Sequence, residues 1–287
     1  MSITERRAHP LAVAALILYA AVMLAPVAWM ILTSFKQPAD TTAAVPSFIP
    51  APGTQPAGSV FFQPSFENYT RQIASPTFGR ALLNSTLVAV ISTLASVGLG
   101  AFAAYGFSRF RFAGSNDWQF FILSTRMLPA MAVSVPIAWM YQQLGLRDTH
   151  LGLIILYTCF NLSFSTWMMK AFIDEIPTAY EEAALLDGYS RLQVLFKIIL
   201  PQASTGIMAT AVFCLIAAWN EYAFALTLTT MRANTVPVEI AGVAQDANVV
   251  YGRLAAAALL FMLPIVVFTL LMRKHLLRGI TFGAVKG

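Results

Sequence analysis

The sequence predicts an all-α integral membrane protein, and two observations lead to that fold class. Hydrophobic residues make up 58% of the 287 residues and charged residues only 11%, whereas soluble globular proteins average about 25% charged residues. With so few charges the chain cannot cover a water-facing surface, so most of its surface must face lipid. Six apolar stretches are also about 20 residues long or longer, which is the length of a helix that crosses a hydrocarbon core of about 30 Å.

The six apolar stretches define the predicted spans, and residues 1–287 are interpreted as a single transmembrane domain. The first span follows two arginines, as a signal peptide would, but it is longer than a typical signal-peptide core and lacks a clear small-residue cleavage site, so we expect it to be retained. Prolines inside the spans predict kinks that neighbouring helices accommodate. The predicted spans are 11–34, 84–107, 118–140, 151–172, 204–230 and 253–273, with prolines at Pro26, Pro129, Pro136 and Pro264.

The distribution of lysine and arginine predicts the orientation of these spans. With the N-terminus inside, eleven of the 18 basic residues fall on the inner side, six on the outer side, and Arg126 within a span. Because cytoplasmic loops carry the excess of Lys and Arg, both termini are predicted to be cytoplasmic. The net charge of +5 therefore needs no polyanionic partner. No basic block with interleaved aromatic residues is present, so nucleic acid is not an expected ligand.

Two loops between the spans differ in character. The outer segment 36–80 contains seven prolines, too many for regular helix, and a short packed element is expected only near Phe66–Tyr69. The inner loop 173–203 predicts a helix through Tyr180–Leu186, a turn at Asp187-Gly188 and a second short helix closed by a proline. The second helix is predicted to bury one apolar face, formed by Leu192, Leu195, Phe196 and Ile199.

The order of residues in loop 173–203 resembles a known motif. Glu182-Ala183-Ala184 is followed after three residues by Gly188, and after nine more by Ile198 and then Leu200-Pro201. This pattern is similar to the EAA loop of membrane subunits of binding-protein-dependent ABC importers. Other stretches resemble the MalG-like carbohydrate-uptake branch of that family: Asn84-Ser85, Ala104-Tyr105, Arg109-Phe110-Arg111-Phe112, Met127-Leu128-Pro129, Ala218-Trp219-Asn220-Glu221 and Gly283-Ala284-Val285-Lys286-Gly287.

The resemblance implies a set of partners in a bacterial-type inner membrane. The chain would be one permease subunit paired with a homologous second permease subunit, above two copies of a cytoplasmic ABC ATPase and below an extracytoplasmic sugar-binding protein. The sequence contains no G-x-x-x-x-G-K-[ST] phosphate loop, so ATP and Mg are expected on the partner ATPase, with no cofactor and no catalytic residue on this chain.

The resemblance also implies three contact regions. The expected ATPase-coupling residues lie in loop 173–203, and the outer loop 231–252 is expected to reach the binding protein. The tail Gly279–Gly287 resembles one that touches the ATPase pair, although a disordered end is the alternative. The coupling residues are Glu181, Glu182, Ala183, Ala184, Asp187, Gly188, Ile198, Leu200 and Pro201, and those of the outer loop are Pro237, Gly242 and Asn248.

Polar residues inside the spans are the candidates for the solute path. A charge near the bilayer centre costs about 2.5–3.5 kcal/mol on insertion scales, so Arg126 and Glu221 should face the bundle interior or the partner subunit. Asn161, Trp219 and Asn220 are candidate solute contacts, although such residues also join helices. Cys159 and Cys214 are expected to be buried thiols, and no metal site is predicted.

Two other functions compete with the permease. A self-contained secondary transporter or channel would need no ATPase, but it leaves the acidic helix-turn-helix loop unexplained. An intramembrane enzyme is disfavoured because no paired carboxylates, histidine cluster or serine–base pair stands out inside the spans. The solute itself stays open among di- or oligosaccharides, glycosides, sugar derivatives and polyols.

Overall fold

The computed structural model describes residues 10–53, 56, 59–244 and 250–282. Helices dominate it, with one short pair of parallel strands, β1 (Ile49–Pro50) and β2 (Phe61–Phe62). The first seven helices are α1 (Pro10–Ser34), α2 (Pro38–Thr41), α3 (Glu67–Ile73), α4 (Pro76–Arg109), α5 (Ser115–Ser124), α6 (Ala130–Gln143) and α7 (His150–Asp174). The others are α8 (Ala179–Leu186), α9 (Arg191–Val194), α10 (Leu200–Gln202), α11 (Ser204–Trp219), α12 (Ala223–Leu228), α13 (Val236–Ala244) and α14 (Tyr251–Phe282).

Among the described residues, four helices are long and apolar enough to cross a membrane: α1, α4, α7 and the stretch Tyr251–Met272 of α14. The number rises to six if two bent pairs each count as one span. In one pair, Ser115–Met127 meets Ala130–Gln143 at 92°, and in the other, Arg191–Gln202 meets Ser204–Trp219 at 79°. The all-α membrane fold is confirmed, while the count of six spans stays a prediction.

The kink expected from Pro129 in the stretch 118–140 is confirmed, and it is a complete break in the helix. A 3-10 turn at Thr125–Met127 ends the first half, and α6 starts only at Ala130. Leu128 is extended, with ψ 124°, because the ring of a following proline disfavours the helical conformation. The predicted stretch 204–230 is also interrupted, since α11 ends at Trp219 and α12 begins at Ala223.

The chain divides into two compact units, which are described separately. The first comprises Met1–Pro76 and Gly242–Met262, and the second comprises Thr77–Ala241 and Leu263–Gly287. In the first unit, the expected short element near Phe66–Tyr69 is α3. The Asn68 side-chain amide donates to the carbonyls of Ser34 at 2.9 Å and Lys36 at 2.8 Å. These bonds fasten α3 to the chain that leaves α1.

Lys36 is a buried cation of the first unit. Its side chain is 2% exposed and its Nζ lies 4.1 Å from the centroid of the Trp29 ring. Burial lowers the pKa of Lys36, and the nearby carboxylate of Asp40 opposes that shift. Cation–π contact with Trp29 compensates part of the lost hydration.

Helices α4 and α7 form the centre of the second unit and run in the same direction. Asn84, about two turns into α4, meets His150 at the start of α7, and Arg109 meets Ile173 where both helices end. We call these two places the Asn84 end and the Arg109 end. Between them, a Cβ added to Gly100 would lie 2.3 Å from the Ser165 Oγ, so a glycine is required for this close approach of α4 to α7.

The second helix of loop 173–203 differs from the prediction. It consists of α9, a π-helical turn at Leu195–Ile199, and α10. Leu195 and Ile199 are buried as expected, but Leu192 is 61% exposed and Phe196 is 53% exposed. A π turn contains more residues than an α turn, so the expected 3–4 spacing no longer describes the buried face.

Three further expectations are affected by the structure. Cys214 is buried, but Cys159 is exposed, because it lines a cavity beside the bent segment 125–137; the prediction of a buried thiol is wrong there. The outer loop 231–252 contains the helix α13, which includes Pro237 and Gly242. Asn248 and residues 283–287 of the predicted tail lie outside the described residues, and residues 279–282 continue α14.

Candidate functional site

A cavity of about 320 Å³ lies where the two interrupted helices of the second unit meet α7. One interruption supplies Arg126 and the other supplies Glu221. Aromatic, amide and charged side chains share the wall. The cavity is lined by Arg126, Leu128, Ala130, Tyr157, Phe160, Asn161, Ala217, Ala218, Glu221 and Phe224.

Helix α7 supplies the central wall of this cavity. Phe160 and Asn161 lie three and four residues after Tyr157, a spacing that places both on the same helical face as Tyr157. The rings of Phe160 and Phe224 are in contact, with centroids 4.6 Å apart. The Asn161 amide donates to the Cys214 carbonyl at 3.2 Å, which joins α7 to α11.

Glu221 is held by the chain itself. Its Oε2 accepts hydrogen bonds from the Tyr157 hydroxyl at 2.9 Å and from the Ala225 N–H at 3.2 Å, and its Oε1 accepts from the Phe224 N–H at 3.1 Å. These backbone N–H groups belong to the first turn of α12 and lack helical partners. The carboxylate therefore holds α12 in place beside α7 at the wall of the cavity.

The Arg126 side chain is held less firmly than that of Glu221. Its guanidinium carbon lies 4.9 Å from the centroid of the Phe164 ring, and its side chain is exposed. Within the part of the chain that the structure describes, Arg126 forms no ion pair. A guanidinium carries five N–H donors, so the cavity wall offers hydrogen-bond donors to a ligand or to another subunit.

Three of the five predicted path residues line the cavity, and two do not. Arg126, Asn161 and Glu221 are brought together, whereas Trp219 is buried outside the lining and the Asn220 amide bonds back to the Ile216 carbonyl at 2.8 Å. Sequence reasoning missed the aromatic residues of the wall, which are Tyr157, Phe160 and Phe224. The spacing of Tyr157 and Phe160 with Asn161 places all three on one helical face, but it does not distinguish a cavity wall from an ordinary packed face.

The second candidate region is helix α8 in loop 173–203, which has two different faces. Glu181 is 2% exposed and Ala184 is 5% exposed, and both are turned toward the spans. Glu182, Ala183 and Leu186 are exposed on the opposite side. We call the latter three the free face of α8. Glu181 and Ala184 were predicted to be coupling residues, and the structure places them away from any partner that docks on the free face.

The remaining coupling candidates follow α8. Asp187 and Gly188 are exposed, and Gly188 has φ +87°, which confirms the predicted left-handed turn. Ile198 and Leu200 are half-buried against an apolar cluster that includes Tyr105, Ile173 and Leu195. Pro201 is exposed at the start of α10.

Glu181 forms a buried ion pair with Arg109 at the Arg109 end. The Arg109 Nε donates to Glu181 Oε1, and the side chains are only 8% and 3% exposed. The same guanidinium donates to the carbonyls of Ile173 at 2.9 Å and Ile176 at 2.8 Å. The Tyr105 hydroxyl donates to Glu181 Oε2 at 3.1 Å. One arginine therefore connects α4, the end of α7 and α8.

Asp148 organises the Asn84 end in a different way. It has φ 55°, a conformation that aspartate tolerates better than most residues. Its carboxylate accepts hydrogen bonds from the backbone N–H groups of residues 230–233 and from the Thr230 hydroxyl. Burial alone would raise the pKa of Asp148, but these donors outweigh it and hold the pKa well below its usual range.

Asn84 secures the same loop from the first turns of α4. Its amide donates to the carbonyls of Arg232 at 2.9 Å and Asn234 at 2.8 Å, and its Oδ1 lies 2.7 Å from the His150 Nε2. Ser85 accepts from the Val236 N–H at 2.9 Å. The segment that leads into α13 is thus bound to the starts of α4 and α7.

Metal chemistry finds no support among residues 10–53, 56, 59–244 and 250–282. No group of three or more His, Cys, Asp and Glu side chains there is arranged to hold a metal ion.

Comparison with known proteins adds a family and close relatives. The family described as "Binding-protein-dependent transport system inner membrane component" matches residues 96–281. The trehalose/maltose transport system permease protein MalG of Thermococcus litoralis is 35% identical over 94% of this chain and 94% of the relative. The trehalose transport system permease protein SugB of Mycobacterium tuberculosis is 34% identical over 92% of this chain and 93% of the relative.

Solved structures share the fold. A chain from the crystal structure of a bacterial ABC transporter involved in the import of the acidic polysaccharide alginate superposes with a TM-score of 0.77 at 22% identity. The match covers 96% of this chain and 98% of that chain. It therefore extends over nearly the whole length of both chains.

Proposed function

The chain belongs to the family of inner-membrane components of binding-protein-dependent transport systems, and from this premise we propose that it is the permease subunit of an ATP-driven sugar importer. The main support for this proposal is the free face of α8. It presents Glu182, Ala183 and Leu186 on a helix that is fixed to the spans by the buried Glu181. A loop that only connected two spans would need neither the fixed face nor the free one.

ATP hydrolysis is assigned to another chain in this proposal. The sequence has no phosphate loop, so ATP and Mg bind a separate cytoplasmic ATPase, two copies of which serve this permease and a homologous second permease subunit. The ATPase receives the free face of α8, where the small Ala183 permits close approach. The Arg109 end is then cytoplasmic, as are both termini, in agreement with the excess of Lys and Arg on that side.

A sugar is the proposed solute, and the cavity beside α7 is its proposed path. Aromatic faces pack against the C–H surfaces of sugars, and amide and guanidinium groups bond to their hydroxyls. Phe160, Asn161 and Arg126 offer these three groups in one wall. Interrupted membrane helices are also the usual places of solute sites in transporters. Both permease relatives are named for trehalose, and one of them also for maltose, which makes these disaccharides the first solutes to test.

The Asn84 end is the proposed docking side for an extracytoplasmic sugar-binding protein. Asp148 and Asn84 hold the segment that leads into α13, so the helix is presented on a fixed base. Pro237 and Gly242 belong to α13 and remain the proposed contact residues, together with Asn248.

Uptake of radiolabelled trehalose and maltose into reconstituted vesicles tests this proposal. The complete complex of two permeases, ATPase and loaded binding protein should take up sugar only with ATP inside, and the chain alone should not transport under an imposed ion gradient. Gradient-driven uptake by the purified chain alone would favour a self-contained secondary transporter and end the proposal.

A further inference from the structure

We propose that Arg109 and Glu181 are positioning residues for energy coupling: their buried ion pair transmits movement of α8 to α4 and α7 together. This inference rests on the proposed function, because it needs an ATPase that moves α8. It adds that the transmitting contact is a single ion pair, and that Glu181 acts inside the permease while Glu182 faces the ATPase.

The contacts of Arg109 supply the first part of the argument. The residue ends α4, and its Nε meets Glu181 in the first turn of α8. Its Nη2 donates to the Ile173 carbonyl in the last turn of α7 and to the Ile176 carbonyl just beyond that helix. Its Nη1 donates to Ser108 at 2.7 Å. The Arg109 side chain, which belongs to α4, thus also contacts the end of α7 and the start of α8. A displacement of α8 must be passed to the others or must break these bonds.

The burial of the pair supplies the second part. Exposed ion pairs exchange easily with water and contribute little. Separating two charges that are 8% and 3% exposed instead leaves each one uncompensated in a poorly hydrated place. The connection therefore resists separation, and α8 is expected to carry α4 with it.

The surroundings of the pair explain why apolar packing alone would transmit less. Ala184, Ile173 and Leu195 pack in the same cluster, and such contacts allow sliding because they have no direction. The Tyr105 hydroxyl bonds to the second oxygen of Glu181, so two residues on one face of α4, Tyr105 and Arg109, fix the direction of the carboxylate.

A nearby exposed pair provides a matched control. Lys170 Nζ lies 2.6 Å from Asp174 Oδ2 within α7, and their side chains are 23% and 43% exposed. The Lys170–Asp174 contact lies within α7, but Asp174 Oδ1 also accepts a hydrogen bond from the Ser108 hydroxyl of α4 at 2.5 Å, so the control replaces only Lys170. If any charge at this end of the helices affected coupling, removal of the Lys170 charge should have the same effect as removal of the Arg109–Glu181 pair. We expect it to have none.

The test uses the complete reconstituted complex and three variants of this chain. Glu181→Gln keeps the shape but removes the charge. The double variant Arg109→Met with Glu181→Met removes both charges, so that no buried charge is left alone and folding is least disturbed. Lys170→Met is the control. Complex assembly, basal ATP hydrolysis, its stimulation by loaded binding protein, and sugar uptake per ATP hydrolysed are measured for each.

The double variant is expected to assemble and to keep basal hydrolysis within about twofold, while uptake per ATP falls about tenfold, a loss within the range of energetic couplings between distant sites. Glu181→Gln should show the same direction, and Lys170→Met should match the wild type. Wild-type uptake per ATP in the double variant would overturn the inference, as would its failure to assemble, since the pair would then serve folding. Sugar uptake by the wild-type complex without ATP would instead contradict the proposed function itself.

Discussion

The two ends of α4 and α7 are both organised by a carboxylate, but the partners of the carboxylates differ. At the Arg109 end, Glu181 pairs with a single arginine that also holds the carbonyls at the end of α7. At the Asn84 end, Asp148 binds the backbone N–H groups of four successive residues. A carboxylate bound to a side chain can move with the helix that carries that side chain. A carboxylate bound to backbone fixes one loop shape.

The comparison indicates that the two ends have different functions. The Arg109 end joins separate helices and is suited to transmitting movement between them. The Asn84 end fixes the segment before α13 and is suited to presenting a surface of constant shape. Variants at the first end should change coupling more than stability, and variants at the second end should do the reverse.

The largest effect is expected for Asp148→Ala. Alanine loses every acceptor for the N–H groups of residues 230–233 and disfavours the left-handed φ of 55°, so we expect a loss of about 3 kcal/mol, the size of one or two charge-assisted hydrogen bonds. Asp148→Asn tolerates this φ and keeps one acceptor oxygen, so its loss should be smaller. Thermal unfolding of the purified complex measures both, and equal losses would contradict the role of the carboxylate.

The same residue predicts a pH dependence. The pKa of Asp148 is well below its usual range in the folded protein, so the ionised carboxylate stabilises the fold above the unfolded pKa of about 4 and this contribution is lost as the pH falls toward the folded value. The stability difference between wild type and Asp148→Asn should therefore shrink below about pH 4. A difference that stays constant would show that the charge is not involved.

A smaller effect is expected between the two ends, at Gly100. A Cβ there would lie 2.3 Å from the Ser165 Oγ, so Gly100→Ala should force α4 and α7 apart and cost about 1–3 kcal/mol. Gly98→Ala is the matched control, because a Cβ at Gly98 meets nothing within 4 Å. Both variants are compared by thermal unfolding, and similar midpoints would mean that the close approach is not needed.

Variants at the Arg109 end should change the stimulation of ATP hydrolysis more than they change the stability of the fold. Gly188→Val places a β-branched residue at φ +87°, a strain of about 1–3 kcal/mol that tilts α8. We expect stimulated ATP hydrolysis to fall about tenfold. Asparagine tolerates left-handed backbone, so Gly188→Asn should retain most of the stimulation. A normal response in the valine variant would mean that the turn does not set the position of the helix.

The smallest effect is expected in the cavity. Tyr157→Phe removes the hydroxyl that donates to Glu221 at 2.9 Å but leaves the ring in the wall, so about 1 kcal/mol of stabilisation of α12 should be lost. The KM for sugar uptake should rise a few-fold while basal ATP hydrolysis stays unchanged. An altered basal rate with unchanged KM would place Tyr157 in coupling instead.

Much of this architecture could be predicted because bilayer thickness imposes a length on apolar helices. Helix α8 and its left-handed end at Gly188 also followed from local sequence. Which face of α8 is free did not follow, because it depends on Arg109, which lies 72 residues before Glu181. The 92° bend was underestimated, since a proline in a span predicts a kink but not its angle.

The path residues show the same limit. Charge and amide chemistry inside apolar spans pointed to Arg126, Asn161 and Glu221, all of which line the cavity. Tyr157 and Phe160 could not be told from ordinary lipid-facing or core aromatics, because their place depends on how α7 packs against α12.

Cross-linking from α8 tests the central claim most directly. Single cysteines at Ala183 and Leu186 on the free face, and at Ala184 as the inward control, are introduced after Cys159→Ser and Cys214→Ala replacement and labelled with a cysteine-reactive photo-cross-linker in the assembled complex. The account predicts cross-links to the ATPase from Ala183→Cys and Leu186→Cys and none from Ala184→Cys, whose position is 5% exposed. Cross-links from Ala184→Cys alone, or none from the free face, would contradict the assignment of α8 as the docking helix.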